Sequence, residues 1–423
     1  MNILVLSINY APEPTGFAPH VADFCEYLSN QGHLVTVATG FPFAPCWSRW
    51  KEYRGKFLLR ERINSVDVMR VTHFIPRRPR GMLQRMLMES TFCLVAGIVL
   101  LLCERQRRDL ILYVGAQPSV AMLARLIAQW KGLPYIVAIN DLAAQAGAEV
   151  GIIQSRWLEQ ALGAFEYAAY RHAAGAIVLC PSFRDALIAH GFPAHRVRII
   201  PCPVDLERIR PLPEGIVFRE SHRLAPSDFV VLYSGSMGLK QDLITVVEAA
   251  RLLRCEAPAV KWAMVGEGEL RAEVERRVAD HGLEEIVQLL PLQPEDQMSA
   301  MFSSADVLLL SQVSKVKDTV IPSKLLTYMA AGRPVLAAVN SASQGATLLR
   351  ESGGGMIVTP EDPAALAAGV RSLQADRENL RIMGQRNRQY AEVHFDRNQI
   401  LAAQEAFLVE TVKGFTSRQK VAV

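Results

Sequence analysis

Short runs of β-branched and apolar residues alternate with amphipathic stretches along nearly the whole chain. Ile3–Ser7, Val35–Thr39, Leu110–Val114, Tyr135–Ile139 and Ala176–Leu179 read as strands in the first half. Val230–Tyr233, Val260–Val265, Ile286–Leu290, Val307–Leu310 and Val335–Ala338 repeat the scheme in the second. Helical periodicity fills the gaps, as in Ser119–Trp130, Trp157–His172 and Asp242–Leu253. Strands apolar throughout, separated by helices, predict an α/β fold of parallel sheets covered on both faces. Pro201, Pro203, Pro211 and Pro213 break this rhythm. The break predicts a first domain over 1–203, a linker over 204–223 and a second domain over 224–394. The last helical stretch, within 395–423, is expected to pack back on the first domain. Two such domains facing across a cleft would present the carboxyl ends of both sheets to a ligand.

A length of 423 residues, half of them hydrophobic, supplies two cores and excludes a disordered or low-complexity chain. The net charge is only +4, but its distribution is uneven. Residues 1–203 carry 21 Lys and Arg against 14 Asp and Glu, so the first half is the one expected to meet an anionic surface. Seven cysteines without a paired spacing point to a reducing, cytoplasmic setting rather than a disulfide framework. The opening MNILVLSINY lacks a basic leader and reads as a buried first strand. Phe92–Cys103 is uncharged and mostly apolar, yet shorter than the ~20 residues a membrane span needs, so it is expected to be a core helix.

The first strand-to-helix turn, Asn9-Tyr10-Ala11-Pro12-Glu13-Pro14-Thr15-Gly16, places Gly16 where a ligand can approach the backbone. It lacks the dinucleotide fingerprint, which disfavours nicotinamide and flavin cofactors. In the second domain the strand ending at Tyr233 runs into Gly235-Ser236-Met237-Gly238-Leu239-Lys240, directly before a helix. Backbone N–H groups, a helix start and an ammonium together suit a phosphate. Pro322-Ser323-Lys324-Leu325 opens a later helix and forms a second such mouth, with Thr327 on the face of Lys324. Two cationic helix starts in one domain suggest a diphosphate. Val265-Gly266-Glu267-Gly268 is a glycine turn that could admit a base or ribose. Asp141, after the strand ending at Ile139, is either a general base or the cap of the next helix. His33 reads as a structural residue between a helix and a strand. No D-x-D, P-loop or zinc-ligand pattern occurs, so neither a metal nor another cofactor is expected, and no nucleic acid partner is implied.

The Pro-Ser-Lys-Leu stretch with its Met-Ala-Ala-Gly-Arg-Pro-Val continuation, the Gly-x-x-Gly-x-Lys turn and the Asn-Tyr-Ala-Pro-Glu-Pro-Thr-Gly opening together resemble family 4 retaining glycosyltransferases. Within that family the resemblance is closest to the WcaI-type transferases of colanic acid and other exopolysaccharide pathways, and it covers essentially the whole chain. It implies a GT-B architecture, a nucleotide-sugar donor in the second domain, a saccharide acceptor on the first, and metal-independent transfer with retention. Two positions depart from the family pattern. Ser236 stands where an arginine is usual, and the paired glutamates around the donor sugar fall on Thr319 and Thr327, with Asp318 one residue away. The WcaI-type branch also carries a threonine at the second of these.

Under that resemblance Lys240 and Lys324 would meet the departing phosphate, with Asp141 orienting the acceptor. Gly16, Gly235, Ser236, Gly238, Pro322, Ser323, Leu325 and Thr327 would line the donor site, and Gly266, Glu267, Gly268 and Thr319 the base and ribose. Seven arginines against Glu89 and Glu104 across 71–108 suggest peripheral contact with an anionic membrane and a lipid-linked acceptor. The competing readings are a non-catalytic subunit of a polysaccharide-assembly complex and a nucleotide-sugar epimerase. A pyridoxal-dependent phosphorylase is disfavoured because no lysine is marked for a Schiff base.

Overall fold

Two separate sheets account for the alternation of strands and helices. The structure is a computed structural model; it describes every residue except 15, 45, 77–81, 103–105, 150–152, 154, 214, 255, 258, 317–321 and 422–423. Asp318, Thr319, Arg77, Arg78, Arg80 and Arg105 therefore lie outside the described residues. The chain divides into two compact units, Met1–Pro201 with Ile400–Val423 and Cys202–Gln399.

The first unit contains β1 (Asn2–Leu6), α1 (Ala18–Asn30), β2 (Leu34–Gly40), β3 (Leu58–Ile63), β4 (Val66–Val71), α2 (Met82–Leu102), β5 (Leu110–Gly115), α3 (Pro118–Lys131), β6 (Tyr135–Ile139), α4 (Ala143–Glu149), α5 (Arg156–Tyr170), β7 (Gly175–Val178), α6 (Pro181–Ala189) and β8 (Val197–Ile199). Its eight strands are ordered β3-β4-β2-β1-β5-β6-β7-β8, parallel except for the β3–β4 pair. β5, β6 and β7 are buried along their whole lengths. β3, by contrast, alternates between exposed and half-buried positions, as an edge strand does.

The second unit contains α7 (Gly215–Ser221), β9 (Phe229–Ser234), α8 (Leu243–Leu253), β10 (Val260–Val265), α9 (Arg271–Asp280), β11 (Val287–Leu290), α10 (Met298–Ser304), β12 (Val307–Ser311), α11 (Ser323–Ala330), β13 (Val335–Ala338), α12 (Gln344–Ser352), β14 (Gly355–Val358), α13 (Pro363–Ala375) and α14 (Arg377–His394). Its six strands are all parallel, in the order β11-β10-β9-β12-β13-β14. The segment expected as a linker is largely part of this unit. Helix α7 lies in it and packs on α10, and the Leu212 N–H donates to the Ser303 hydroxyl at 2.9 Å.

The final helix, α15 (Arg397–Val421), lies against the first sheet, its Phe407 touching the backbone position of Gly175. His33 helps to fix it there. One ring nitrogen meets Glu405 at 2.9 Å and the other the amino terminus at 3.1 Å. His33 thus ties α15 to the start of β1, a structural role.

The turn after β1 is held by a buried carboxylate. Glu13 accepts the Phe43 and Ala44 N–H groups, both at 2.8 Å, and the Asn9 side-chain amide at 2.9 Å. Nearby, the fully buried Arg70 donates to the Ala11 and Gly40 carbonyls and to Glu61. Together they fix the loop that begins at Asn9. Glu13→Ala strands two N–H groups away from water, and an unsatisfied buried donor costs about 1–3 kcal/mol. We expect the variant to lose about 3 kcal/mol in urea unfolding, and Glu13→Gln, which keeps an acceptor oxygen, to lose clearly less.

Candidate active site

At the carboxyl end of the second sheet, the loop after β9 and the start of α11 are joined by side chains. Lys324, in the first turn of α11, directs its ammonium into the loop. It donates to the Tyr233 hydroxyl at 2.8 Å and to Gln241 Oε1 at 3.1 Å, and lies 4.2 Å from the Tyr233 ring centroid. Such a cation over a partly desolvated ring is held by about 1–2 kcal/mol. Tyr233 passes the link on, its hydroxyl donating to the Ser236 carbonyl at 2.5 Å. Tyr328, one turn beyond Lys324, accepts the Ser234 N–H at 2.8 Å and donates to the Ser234 carbonyl at 3.0 Å. Lys324 and Tyr328 share a helical face by their four-residue spacing, so α11 grips Ser234–Ser236 at two points.

A methyl group placed on Gly235 would come 3.1 Å from Lys324 Nζ. The absence of a side chain is what lets the ammonium approach this backbone. Burial pushes the Lys324 pKa down from the usual lysine value to about 7. Among the described residues its bonded partners are a phenol and an amide, with no carboxylate. A partly desolvated ammonium beside a glycine backbone is a strong receptor for anionic oxygen.

Gly266 and Gly268 let two loops pack backbone against backbone. A Cβ on Gly266 would fall 1.9 Å from the Gly235 carbonyl oxygen, and one on Gly268 would fall 2.6 Å from that of Met237. Three backbone bonds lace the same loops: Gly235 N–H to Val265 O at 2.9 Å, Met237 N–H to Glu267 O at 2.8 Å and Leu270 N–H to Met237 O at 2.8 Å. The close approach these glycines permit is thus that of the neighbouring loop. The Glu267 carboxylate is paired with Arg271 at 3.2 Å.

The two helix starts also differ. At α8 the Asp242 carboxylate accepts the Thr245 N–H at 3.4 Å and the Glu361 N–H at 3.1 Å, so that start already holds an anion. An anion near Lys240 would therefore meet the glycine loop and the lysines rather than a free helix start. Lys240 is half-buried and, among the described residues, its ammonium has no hydrogen-bond or ion-pair partner; its carbonyl accepts the Val313 N–H at 3.1 Å. Ser236 is exposed and Gly238 half-buried in the same loop. At α11, Pro322 precedes the helix and Ser323 is exposed at its first position. Leu325 offers no group to a ligand, because its side chain is wholly buried and its N–H is bonded to the Pro322 carbonyl at 2.8 Å. The Thr327 hydroxyl donates back to the Ser323 carbonyl at 3.3 Å.

In the first unit, Asp141 stands two residues beyond the end of β6 and is half-buried. The helix after it is served by a different carboxylate. Buried Glu166, on α5, accepts the Ala143 and Ala144 N–H groups at 3.0 and 3.2 Å. Burial raises its pKa. Gly16 sits at φ +69° with open space around its Cβ position. A cavity of about 610 Å³ lined by Arg333, Arg377, Arg381 and Arg388 lies at the opposite, amino end of the second sheet's strands, where β12 and β13 begin. Arg388 there is spent on the Ile209, Ala330 and Leu206 carbonyls and on Glu392.

Comparison with known proteins gives this geometry a family. Residues 15–203 match the Glycosyl transferase 4-like domain, and residues 216–390 match the Glycosyl transferases group 1 family. Over 408 residues the chain is 30% identical to a colanic acid biosynthesis glycosyl transferase, WcaI, of Escherichia coli (strain K12), covering 95% of this chain and 98% of that one. The chain belongs to the WcaI-like family 4 glycosyltransferases. Its fold is GT-B, with two parallel-sheet α/β domains. Sucrose-phosphate synthase from Thermosynechococcus elongatus superposes with a TM-score of 0.77 at 18% identity, covering 98% of this chain and all of the other. HepE of Anabaena in complex with UDP gives 0.72 at 15% identity, with 97% and 100% covered. WaaG, a glycosyltransferase involved in lipopolysaccharide biosynthesis, gives 0.71 at 15% identity, with 96% and 99% covered.

Sequence reasoning found Lys324 and the glycine loop but missed the groups that aim the lysine. Tyr233 was legible only as the end of a strand, and Tyr328 and Gln241 carried no assigned role. The four-residue spacing of Lys324 and Tyr328 was the available signal. Because the folded Lys324 value of about 7 lies below the unfolded lysine value of 10.5, the unfolded chain binds more protons between them. This residue therefore makes stability rise with pH across that window, by up to about 1.4 kcal/mol per pH unit. Lys324→Met should flatten the slope of unfolding free energy measured from pH 7.5 to 9.5.

Proposed function

We propose that this glycosyltransferase moves a sugar, with retention, from a nucleoside-diphosphate sugar to a saccharide acceptor in bacterial exopolysaccharide or lipopolysaccharide synthesis. The observation that carries the reading is the Lys324 ammonium at Gly235, with Lys240 on the same glycine loop. The relatives and structural neighbours support it: one relative is described as a colanic acid transferase, and one neighbour structure holds UDP. The non-catalytic subunit and the epimerase are not favoured, since the matched families and the similar full-length relative are transferases.

In this reading the donor diphosphate lies against Gly235–Gly238, with Ser323 and Thr327 at its edge. As the anomeric C–O bond breaks, its electron pair goes to the β-phosphate and positive charge develops on the sugar ring. Lys240, Lys324 and the loop amides meet the phosphate charge, in place of a metal held by paired carboxylates. The acceptor oxygen then bonds to the anomeric carbon from the side the phosphate leaves. Its proton passes to the departing phosphate oxygen or to Asp141. The acceptor is read as lipid-linked and the protein as peripheral at the cytoplasmic face of the membrane, through 71–108. Within that segment Arg108 is buried against Asn2 and is not available to lipid.

Bound diphosphate recharges Lys324, so donor binding should take up a proton and weaken as pH rises above about 7. Removing one preorganised donor to a developing anion lowers turnover by about 10²–10³. Lys240→Ala is expected to show that loss while unfolding at the wild-type temperature, and a thermal-shift panel of UDP-, GDP- and ADP-sugars should identify a stabilising donor. A variant with near-normal turnover, or a panel without any shift, would refute the assignment.

A further inference from the structure

Helix α2 is amphipathic in an unusual sense, since it is apolar on both sides. Met88, Phe92, Ala96, Val99 and Leu100 are buried against the first unit. Leu83, Leu87, Leu94, Ile98 and Leu101 recur at three-, four- and seven-residue intervals on the opposite side and are exposed, Leu83 by 82% and Leu94 by 64%. The helix is firmly part of the domain. Glu89 is bonded to Ser119 of α3, the Thr91 hydroxyl accepts the Phe74 N–H at 2.9 Å, and a Cβ on Gly97 would sit 3.2 Å from Leu123. At 21 residues it is about 31 Å long, enough to cross a bilayer, but crossing would tear its inner face from the core.

The neighbouring helices continue the pattern. The connections β4–α2–β5, β5–α3–β6 and β6–α5–β7 all step in one direction along the sheet, so right-handed crossovers put α2, α3 and α5 on one side of it. α3 packs beside α2 and beside α5, where Arg125 donates to the Ala168 carbonyl at 2.5 Å. On the outside of α3 stand Leu126 and Trp130, four residues apart, and on α5 Trp157 and Phe165. Trp130 and Trp157 are 66% and 74% exposed. Each has a cation beside it: the Lys131 ammonium lies 5.7 Å from the Trp130 ring centroid, and exposed Arg156 precedes Trp157. Exposed Arg85 and Arg107 lie on and just beyond α2.

We propose that the outer faces of α2, α3 and α5 form a monotopic seat that inserts into the interface of an anionic bilayer, with Trp130 and Trp157 anchoring it at headgroup depth. This extends the peripheral contact read from 71–108 to two further helices and changes its driving force from charge to apolar insertion. Apolar side chains in the centre, tryptophans beside cations and no exposed carboxylate among the residues named are what an anionic lipid surface complements. A second copy of this chain, carrying the same cations, would bring like charges together.

The test uses the full chain and no donor. With vesicles of phosphatidylethanolamine and phosphatidylglycerol, the protein should co-sediment and remain largely bound at about 0.5 M salt, where screening acts within a few ångströms. Brominated acyl chains should quench its tryptophan emission, and Trp130→Phe with Trp157→Phe should remove most of that quenching without abolishing binding. Leu94→Glu with Ile98→Glu, both at exposed positions, should cut partitioning at least tenfold while the unfolding temperature holds. Absence of sedimentation, absence of quenching, or wild-type partitioning of the double glutamate variant would overturn the seat. So would a concentration-dependent dimer lost in that same variant. The inference rests on the membrane-borne acceptor only for its purpose, so donor thermal shifts fail or succeed separately from it.

Discussion

The candidate site depends on one buried contact, the Lys324 ammonium held over Tyr233 and against Gln241. An ammonium taken out of water without a carboxylate partner is unfavourable, and its lowered pKa records that. The surrounding structure supports it through a ring face, a phenol oxygen and an amide oxygen, each weaker than the water they replace. A charge under-solvated in this way has free energy to gain from an arriving phosphate. Among the described residues it has no carboxylate partner that an arriving phosphate would first have to displace. The two tyrosine clasps and the interlaced glycine loops follow from this requirement, since the lysine can be aimed only if the loop it aims at is fixed.

Three carboxylates at suggestive places in the sequence are spent on backbone N–H groups. Glu13 holds the Phe43 loop, Glu166 serves the first turn of α4, and Asp242 caps α8. In sequence each sits at a place where chemistry could be suspected: a loop after the first strand, a helix packed near the Asn-Asp turn, and a residue two beyond Lys240. Glu166 shows how far such a carboxylate can come from in sequence, since it reaches the Ala143 and Ala144 N–H groups from α5.

Much of the fold was legible because parallel strands are apolar throughout and bounded by turn residues. Tyr135–Ile139, Val260–Val265 and Val335–Ala338 coincide with strands β6, β10 and β13. The strands missed were β3, β4, β8 and β14. β3 is a charged, alternating edge strand, β8 and β14 are only three and four residues long and incompletely buried, and β4, though mostly buried, is interrupted by Asp67 and Arg70. The site was half legible. Lys324 is marked by the proline and serine before it, but Tyr233 and Gln241 reach it from 91 and 83 residues away, a separation that no local pattern encodes. The glycines of Val265–Gly268 were visible, but a glycine signals close approach without saying what approaches. Here it is the backbone of Gly235 and Met237.

The same limit explains helix α2. A run of apolar residues reports that water is avoided, not where the residues go instead. In Met82–Leu102 the inner side chains are satisfied by the domain core and the outer ones are not, so one helix carries two separate apolar requirements. A helix serving only the core would place polar residues at Leu94 and Ile98 at no loss to packing. Retaining leucine and isoleucine there raises the free energy of the protein in water and lowers it at a lipid surface. The composition of that outer face is therefore evidence about surroundings, and it agrees with the excess of positive charge in the unit that bears it.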